Sequence, residues 1–357
     1  MYNRFMSDTA QGATLQTEIS QLKTKIDASS IPQGLKEKVN EMLIRLGRMA
    51  KYTGYTDEYE KISHYIDWVL ALPWQKASPD NLDLEHAKKI MDFHHYGMDQ
   101  VKERILQYMA ILKLTQGKKE VSRAPILCLV GLVGTGKTTF GYSLAETMGR
   151  QFSRIPFGGM GSSLDLRGQS RLHADSEPGQ VVKALRRAGT NNPVILLDEI
   201  DRVSDASRAD IMGVLVELLD PEQNAAFTDH YLDYPFNLSN VLFLATCNNT
   251  RDISTAVLDR MEILQMPSYT DEEKIYIGRD YVLPKVLQES GLKQENLTID
   301  PALWLKVVRP LGYDSGIRTL ERTIEGICQR VAKLVVEGKG DHFYLNEDNI
   351  KQFLPTW

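Results

Sequence analysis

The sequence predicts a fold of the α/β plus all-α class, in which an αβα domain follows an N-terminal helical segment and precedes a small C-terminal helical domain. Three observations support this prediction. Short apolar runs alternate with helical patterns between residues 125 and 265, apolar residues recur at three- and four-residue spacing on both sides of that region, and one apolar run leads directly into a glycine-rich loop. With 357 residues, the chain is long enough for two or three domains.

Nearly all of the chain before the glycine-rich loop is predicted to be helical. The apolar spacing predicts helices over 15–28, 35–48, 59–72, 84–93 and 98–114. Pro32 is placed to begin the second of them. We expect residues 1–13 to form a flexible tail and residues 14–82 to form the N-terminal helical segment.

The central region combines strands with helices. Its apolar runs predict strands over 126–130, 194–197 and 241–245, and helices over 180–188 and 209–219. Fully apolar strands separated by helices are typical of a parallel sheet covered on both faces, which predicts an α/β domain at residues 83–268. Helical periodicity then returns over 271–290, 301–307 and 317–336, and predicts the C-terminal domain at residues 269–357.

The glycine-rich loop at residues 131–138 matches the pattern G-x-x-x-x-G-K-[ST] between a predicted strand and a predicted helix. In this context backbone N–H groups and the helix N-terminus bind phosphate, the lysine reaches the β- and γ-phosphates, and the threonine hydroxyl ligates Mg²⁺. The alternative is a glycine-rich loop without a ligand; the bare pattern arises by chance in roughly one chain per hundred of this length. The predicted nucleotide-contacting residues are Gly131, Leu132, Val133, Gly134, Thr135, Gly136, Lys137, Thr138 and Thr139, with Thr138 also a metal ligand.

Polar side chains end the other two apolar runs. We expect Asp198 to hold Mg²⁺ and the following Glu199 to polarise the attacking water as a general base. Paired acids after a strand are also common helix N-caps. Asn248 is placed to orient the water against the γ-phosphate, although the segment that begins there also suits a turn.

Two arginines are candidates for stabilising the charge that develops in phosphoryl transfer. Arg260 and Arg318 both follow the last apolar run. An arginine in this role is worth about 10³–10⁵ in rate. A surface salt bridge is the alternative for each.

Composition limits the binding partners and the cellular compartment that the protein is expected to have. The net charge of −5 gives no general electrostatic case for nucleic acid or membrane binding, and no apolar run is long enough to span a bilayer. The N-terminus shows no leader pattern. The three cysteines, two of them in apolar runs, predict buried thiols rather than disulfides or metal ligands, and thus a reducing compartment, most simply the cytoplasm.

From about residue 16 to its end, the sequence resembles the AAA+ ATPase module of Lon proteases. Beyond the glycine-rich loop, the likeness is carried by residues 65–74, 95–98, 101–105, 220–224, 227–232 and 258–262. The resemblance implies ATP/ADP and Mg²⁺ as cofactors, a homo-hexameric ring and a protein or peptide substrate. It also implies that the segment containing Tyr96 packs near adenine.

The resemblance assigns a role to each matched position. Lys137 and Thr138 form the Walker A pair, and Asp198 and Glu199 the Walker B pair. The remaining three are Asn248 as sensor 1, Arg260 as the finger that reaches a neighbouring subunit's nucleotide, and Arg318 as sensor 2.

The sequence departs from the family pattern in three places. Leu132 and Val133 replace the usual loop prolines, which should alter rate more than chemistry. The proteolytic domain expected to follow residue 357 is absent from this sequence, so we expect no peptide-bond cleavage from this chain and a separate or deleted protease domain. In the substrate-gripping loop, His173 and Ala174 stand where an aromatic and an aliphatic residue are usual; they offer less apolar area, although His173 could suffice.

Three functions follow as hypotheses. The first is an ATP-driven ring motor that remodels or translocates protein. The second is a nucleotide-gated scaffold with little translocation, which the altered loop favours. The third is a nucleic-acid-stimulated ATPase, which we consider because basic residues are interspersed around the α/β domain, although charges at helical spacing usually form a solvated face. These basic residues are Lys183, Arg186, Arg187, Arg202 and Arg208.

Overall fold

The structure is a computed structural model that describes residues 2–49, 57–115, 126–173, 175–310 and 316–355. In chain order the helices are α1 (Tyr2–Ala28), α2 (Gln33–Met49), α3 (Asp57–Ala71), α4 (Leu84–His94), α5 (Asp99–Thr115), α6 (Lys137–Met148), α7 (Leu164–Arg167), α8 (Gln180–Ala188), α9 (Arg208–Leu219), α10 (Thr255–Leu258), α11 (Asp271–Ile277), α12 (Leu283–Glu289), α13 (Trp304–Val308), α14 (Arg318–Val336) and α15 (Ile350–Phe353). The strands are β1 (Ile126–Val130), β2 (Phe152–Pro156), β3 (Val194–Asp198), β4 (Phe227–Asp229), β5 (Tyr234–Phe236), β6 (Leu242–Cys247), β7 (Met261–Gln265), β8 (Leu297–Ile299) and β9 (Phe343–Leu345).

The chain divides into two compact units. The first comprises Met1–Asn81, Met148–Ala245 and Ile253–Glu262. The second comprises Leu82–Thr147, Thr246–Asp252 and Ile263–Trp357. The two units do not follow the domain limits predicted from the sequence, which remain predictions.

The N-terminal helices pack on one another within the first unit. Helix α2 buries Leu35, Val39, Leu43 and Leu46, which recur at the spacing of one helix face. Helix α1 extends from Tyr2 to Ala28, and the flexible tail expected at residues 1–13 stays a prediction. No proline interrupts this segment, so a helix that nucleates further along can propagate toward the chain start.

A five-stranded sheet, in the order β2-β3-β6-β1-β7, confirms the predicted αβα architecture. In the first unit β3 pairs in parallel with β2 and with β6, with Leu197 opposite Ile155 and Ala245. Strand β3 is buried along its whole length, as the apolar run over its first four residues predicts. Strands β2 and β7 were not predicted, because in both of them buried and more exposed positions alternate and the apolar run is broken.

In the second unit, strand β1 has main-chain partners at its carboxyl end. The Gly131 N–H donates to the Cys247 carbonyl at 3.2 Å, and the Met266 N–H donates to the Val130 carbonyl at 2.7 Å. The thiols of Cys128 and Cys247 lie 3.8 Å apart and are buried, as predicted for both. These contacts fix the point at which β1 enters the glycine-rich loop.

The C-terminal part is mainly helical, as predicted, but it also contains a short parallel pair. Strands β8 and β9 pair from Leu297 with Phe343 to Ile299 with Leu345. The long helix predicted over 271–290 is interrupted by a π-helical turn at Gly278–Val282 between α11 and α12. A Cβ atom at Gly278 would lie 2.9 Å from the Trp304 ring, so close packing against α13 accounts for this glycine. Among the residues described, no helix has the length and apolarity required to cross a membrane.

Candidate active site

The glycine-rich loop connects β1 to α6 in a conformation that needs its glycines. Gly134 and Gly136 have φ angles of 84° and 89°, in the region that side chains with a Cβ rarely adopt. A Cβ atom at Gly131 would lie 2.7 Å from the Met266 Cβ. The Thr135 hydroxyl donates to the Leu132 carbonyl at 2.9 Å and closes the loop on itself. A loop of this form presents successive N–H groups to an anion at the start of a helix.

Lys137 begins α6, and its ammonium group lies within this loop. It donates to the carbonyls of Gly131 at 2.6 Å and Leu132 at 2.9 Å, and to the Asn248 side-chain oxygen at 3.2 Å. The lysine is buried, with 8% of its surface exposed. These three acceptors orient the ammonium group within the loop, at the place where a phosphate would meet it. The loop and its lysine therefore fit a polyphosphate.

Asn248 is brought to the glycine-rich loop by β6, the strand that it follows. Its amide oxygen contacts Lys137, as a group oriented toward the phosphate site would. The predicted turn is present as well, because the Asn249 side chain accepts a hydrogen bond from the Arg251 N–H at 3.0 Å. The turn after β6 thus has its own hydrogen bonding while Asn248 contacts the lysine.

The start of α14 lies against the same loop. The Ile317 N–H donates to the Gly134 carbonyl at 3.1 Å. A Cβ atom at Gly316 would lie 2.6 Å from the Val133 carbonyl oxygen, so only glycine fits there. The first aliphatic carbons of Arg318 are nearby, with Cγ 3.6 Å from the position that a Gly134 Cβ would take. The sequence prediction missed Gly316, although it is adjacent to the arginine that it identified.

Asp198 and Glu199 lie in the first unit, at the end of β3. The Asp198 carboxylate is buried and accepts from Arg154 Nε at 2.7 Å and Nη2 at 2.6 Å. The sequence analysis did not identify Arg154; the signal that could have found it is an arginine within a strand beside β3. This ion pair orients the Asp198 carboxylate at the end of β3.

Glu199 has a φ angle of 57°, one of three positive values among the described non-glycine residues. Such a conformation costs on the order of 1–3 kcal/mol and tends to occur at active sites. Its Oε2 lies 3.6 Å from Arg202 Nη1 and 3.5 Å from the position of a Cβ at Gly158. The side chain remains partly accessible, as a general base must be.

Arg260 forms an ion pair within its own chain. Its Nη2 lies 3.0 Å from Asp220 Oδ2, and its Nη1 donates to the Ala256 carbonyl at 2.8 Å. The hydrogen bond from Arg260 lowers the pKa of the Asp220 carboxyl group. The salt bridge, which was the sequence-based alternative, is therefore present in this structure; the role of Arg260 toward a neighbouring subunit remains a prediction.

Tyr96 lies in a tight turn between α4 and α5 whose neighbours contact the phosphate-loop helix. The adjacent His95 ring stacks on Phe140 of α6 at 3.6 Å and lies 2.9 Å from the Ser143 hydroxyl. Tyr96 is partly exposed, and its ring centroid lies 4.4 Å from that of Tyr276 on α11. The turn thus presents a partly exposed aromatic surface in the unit that holds the phosphate loop.

A magnesium ion can be accommodated by the residue types that were predicted to bind it. Thr138 and Thr139 occupy the first turn of α6, where Thr138 is half-buried. Within the described part of the chain, no group of three or more His, Cys, Asp and Glu side chains is arranged as a metal centre. Mg²⁺ at nucleotide sites takes only one or two protein ligands and completes its shell with phosphate oxygens and water. A hydroxyl and a carboxylate, the two predicted donor types, are therefore each suited to Mg²⁺.

Comparison with known proteins agrees with this geometry. A family model described as "ATPase family associated with various cellular activities (AAA)" matches residues 127–269, and one described as "Lon protease AAA+ ATPase lid domain" matches residues 288–343. The chain belongs to the AAA+ ATPases, enzymes that bind and hydrolyse ATP.

Similarity to curated proteins defines the branch of that family. The chain is 42% identical over 339 residues to the Lon protease of Lawsonia intracellularis, which covers 94% of this chain and 40% of that protein. It is 40% identical over 338 residues to the Lon protease of Syntrophomonas wolfei, covering 95% of the chain and 41% of that protein. It is 40% identical over 337 residues to Lon protease 1 of Bacillus subtilis, covering 94% of the chain and 43% of that protein.

These matches identify the chain as an AAA+ module of the Lon type. It spans about two fifths of the length of the curated relatives that it matches.

Proposed function

We propose that this chain is the motor part of a Lon-type ring, in which ATP hydrolysis drives the remodelling or translocation of protein. The observation that supports this most directly is the position of Lys137, whose ammonium group is held between the carbonyls of the phosphate loop and the Asn248 side chain. This arrangement would bind a polyphosphate. It also places the side chain of Asn248, in the turn after β6, in contact with the lysine that meets the phosphates. The proposal assigns no peptide-bond cleavage to the described residues.

In the proposed reaction, the N–H groups of residues 131–138 and the Lys137 ammonium bind the phosphates. Magnesium, when bound, neutralises charge on the phosphate oxygens, and Thr138 and Asp198 would hold it. Glu199 accepts the proton of the attacking water, and Asn248 orients that water. Tyr96 would contact the base of the nucleotide.

The two arginines have different proposed partners. Arg318, at the start of the helix that contacts Gly134, would contact phosphate within its own chain. Arg260 would act on the nucleotide of a neighbouring subunit, which requires a ring; we propose a homo-hexamer, located in the cytoplasm. In that case Arg260 must exchange its Asp220 partner for the neighbour's phosphate as the ring assembles.

The nucleotide-gated scaffold remains the second candidate, because the segment predicted to grip substrate presents an exposed histidine at residue 173. Ala174, the second residue of that pair, lies outside the described residues. The two candidates differ in whether protein substrate accelerates turnover.

The nucleic-acid hypothesis loses support, because its basic side chains contact other groups of the chain. The Arg186 guanidinium lies 4.1 Å from the Trp68 ring centroid, Arg187 donates to the Arg154 carbonyl, and Lys183 pairs with Glu177. Arg202 and Arg208 pair with acidic residues three positions away. The ion pairs of Lys183, Arg202 and Arg208 offset part of the charge that a phosphate backbone would need. The contacts of Arg186 and Arg187 hold those side chains against the protein.

The decisive experiment measures ATP binding and turnover with and without casein as an unfolded protein. Wild-type protein should bind ATP, and casein should raise its turnover severalfold. The Lys137→Ala variant should lose nucleotide binding, whereas Lys183→Ala, which removes a lysine of α8 that pairs with Glu177, should bind normally. Full ATP affinity in Lys137→Ala would falsify the phosphate-loop assignment, and slow turnover that casein leaves unchanged would favour the scaffold.

A further inference from the structure

Gly168 and Gly179 mark the two ends of a loop, and these ends are held close together by hydrogen bonds. The Gly179 N–H donates to the Asp229 carboxylate at 2.7 Å, and the Gln169 N–H donates to the Glu177 carbonyl at 3.1 Å. Cβ atoms at Gly168 and Gly179 would lie 2.8 Å from an Asp229 oxygen and 2.0 Å from the Leu166 carbonyl oxygen, respectively. The ends therefore cross at a distance that only glycine permits.

Asp229 holds the base of this loop from inside the protein. Its side chain is 1% exposed, and its second oxygen accepts from the N–H groups of Tyr231 and Leu232 at 2.8 and 3.1 Å. A buried carboxylate with three backbone donors is a strong and directional anchor. The loop thus projects from a fixed base.

The loop turns sharply at residues 170–173. The His173 N–H donates to the Ser170 carbonyl at 3.1 Å, which places Arg171 and Leu172 at the two central positions of a four-residue turn. Arg171 is anchored toward the protein, with its guanidinium carbon 3.9 Å from the centroid of the buried Tyr65 ring and its Nη1 3.8 Å from the Met42 sulfur. Because Arg171 is held in this way, the turn presents the next two side chains, Leu172 and His173, to solvent, and Leu172 is the apolar one of the two.

Leu172 is 93% exposed, the largest exposed fraction among the large apolar side chains of the described residues. A leucine at a central position of an anchored turn is unfavourable there in an isolated chain, since its apolar surface remains in water. Its neighbours Ser170, His173 and Asp175 are polar or charged. The apolar surface of one leucine among polar side chains is far smaller than the roughly 800 Å² that each partner buries in a stable interface between copies. It suits a brief contact with an extended chain.

We infer that Leu172, rather than His173, is the side chain through which this loop grips an unfolded, apolar polypeptide segment. The inference rests on the proposed motor function and specifies the contact that the motor makes. The sequence predicts that His173 offers less apolar area for a firm grip on substrate than the usual aromatic residue. Leu172 would supply that area one residue earlier in the turn. Arg171 is a positioning residue that fixes the direction in which Leu172 projects.

The test compares Leu172→Ala with His173→Ala by the casein concentration that half-saturates ATPase stimulation, and by casein binding with a slowly hydrolysed ATP analogue. Leu172→Ala should raise the half-saturating casein concentration and the dissociation constant for casein about five- to tenfold. A tenfold change corresponds to about 1.4 kcal/mol. His173→Ala should change both quantities less than twofold, and Leu172→Met should restore most of the affinity. Leu114→Ala, the same substitution at a side chain that is 73% exposed on α5, is the matched control.

Basal ATP turnover and thermal unfolding should be unchanged in Leu172→Ala, since the side chain makes little contact with the folded chain. An equal or larger effect in His173→Ala would overturn the inference while leaving the motor function standing. A change in ring assembly with unaltered casein affinity would assign Leu172 to a contact between copies and would also overturn it. If wild-type protein neither binds casein nor responds to it, the proposed motor function fails first.

Discussion

The Lys137 ammonium group lies 3.2 Å from the side-chain oxygen of Asn248, so a hydrogen bond joins the phosphate loop to the turn after β6. A γ-phosphate at this loop would compete with the amide for the lysine, because a charge-assisted bond to phosphate is stronger than one to a neutral oxygen. The released amide would then be available to water. In the proposed reaction, Asn248 would therefore contact the attacking water in place of the lysine.

The first prediction concerns Asn248→Ala. Loss of the amide should reduce kcat by about 10–100-fold, because it removes one oriented contact to the water, while ATP affinity changes only a few-fold. Steady-state turnover and equilibrium binding of a fluorescent ATP analogue separate the two effects. Asn249→Ala, which alters the adjacent turn, is the control and should retain most of the turnover. Equal losses in the two variants would assign Asn248 to the turn alone.

Glu199→Gln should retain ATP binding and lose hydrolysis. The amide matches the carboxylate in size but cannot accept the proton of water, and a general base contributes about 10²–10⁴ in rate. We expect ATP to persist in an assembled ring, which native mass spectrometry would detect directly. Arg202→Gln serves as the control, because it removes the cation 3.6 Å from Glu199 and leaves the base in place. Hydrolysis near the wild-type rate in Glu199→Gln would show that another group is the base.

The phosphate loop was predictable because its chemistry is encoded by adjacent residues. Glycine positions, the lysine and the helix that follows are contiguous in sequence, so their spacing alone specifies a conformation. The contact of Gly316 with Val133 is different, since it depends on how a distant helix packs against the loop. No local pattern around Gly316 indicates which backbone it approaches.

Ion-pair partners of the predicted site residues were also beyond sequence analysis. Arg154 was not anticipated as the partner of Asp198, because the pairing depends on two strands that become neighbours only in the folded sheet. The same holds for Arg260 and Asp220, which were each noted for their own motif and not as a pair. Exposure of Leu172 likewise depends on Arg171 packing on an aromatic ring from the N-terminal helices.

Arg260→Ala should abolish hydrolysis, by about 10³-fold or more, while each subunit still binds ATP. The structure supplies a control for the alternative that Arg260 only stabilises the fold. Asp220→Asn weakens the same ion pair but leaves the arginine, so it should keep turnover if Arg260 acts on a neighbouring subunit. Thermal unfolding of both variants measures the structural cost, and matching losses of turnover in the two variants would identify the ion pair itself as the requirement.

The last prediction follows from His95, which is 4% exposed and stacks on Phe140 of the phosphate-loop helix. Burial, together with the nearby His94 and Lys102, lowers the pKa of His95 from 6.5 to about 3. Below pH 6.5 the unfolded chain therefore binds a proton that the folded chain does not. As the pH is lowered through this range, the free energy of unfolding decreases by up to about 1.4 kcal/mol per pH unit. Thermal unfolding between pH 7.5 and 5.5 should show a steeper loss for wild type than for His95→Phe, which keeps the stacked ring without a titratable group. His342→Gln, at an exposed histidine near β9, should keep the wild-type slope, and an identical slope in His95→Phe would exclude His95 as the source.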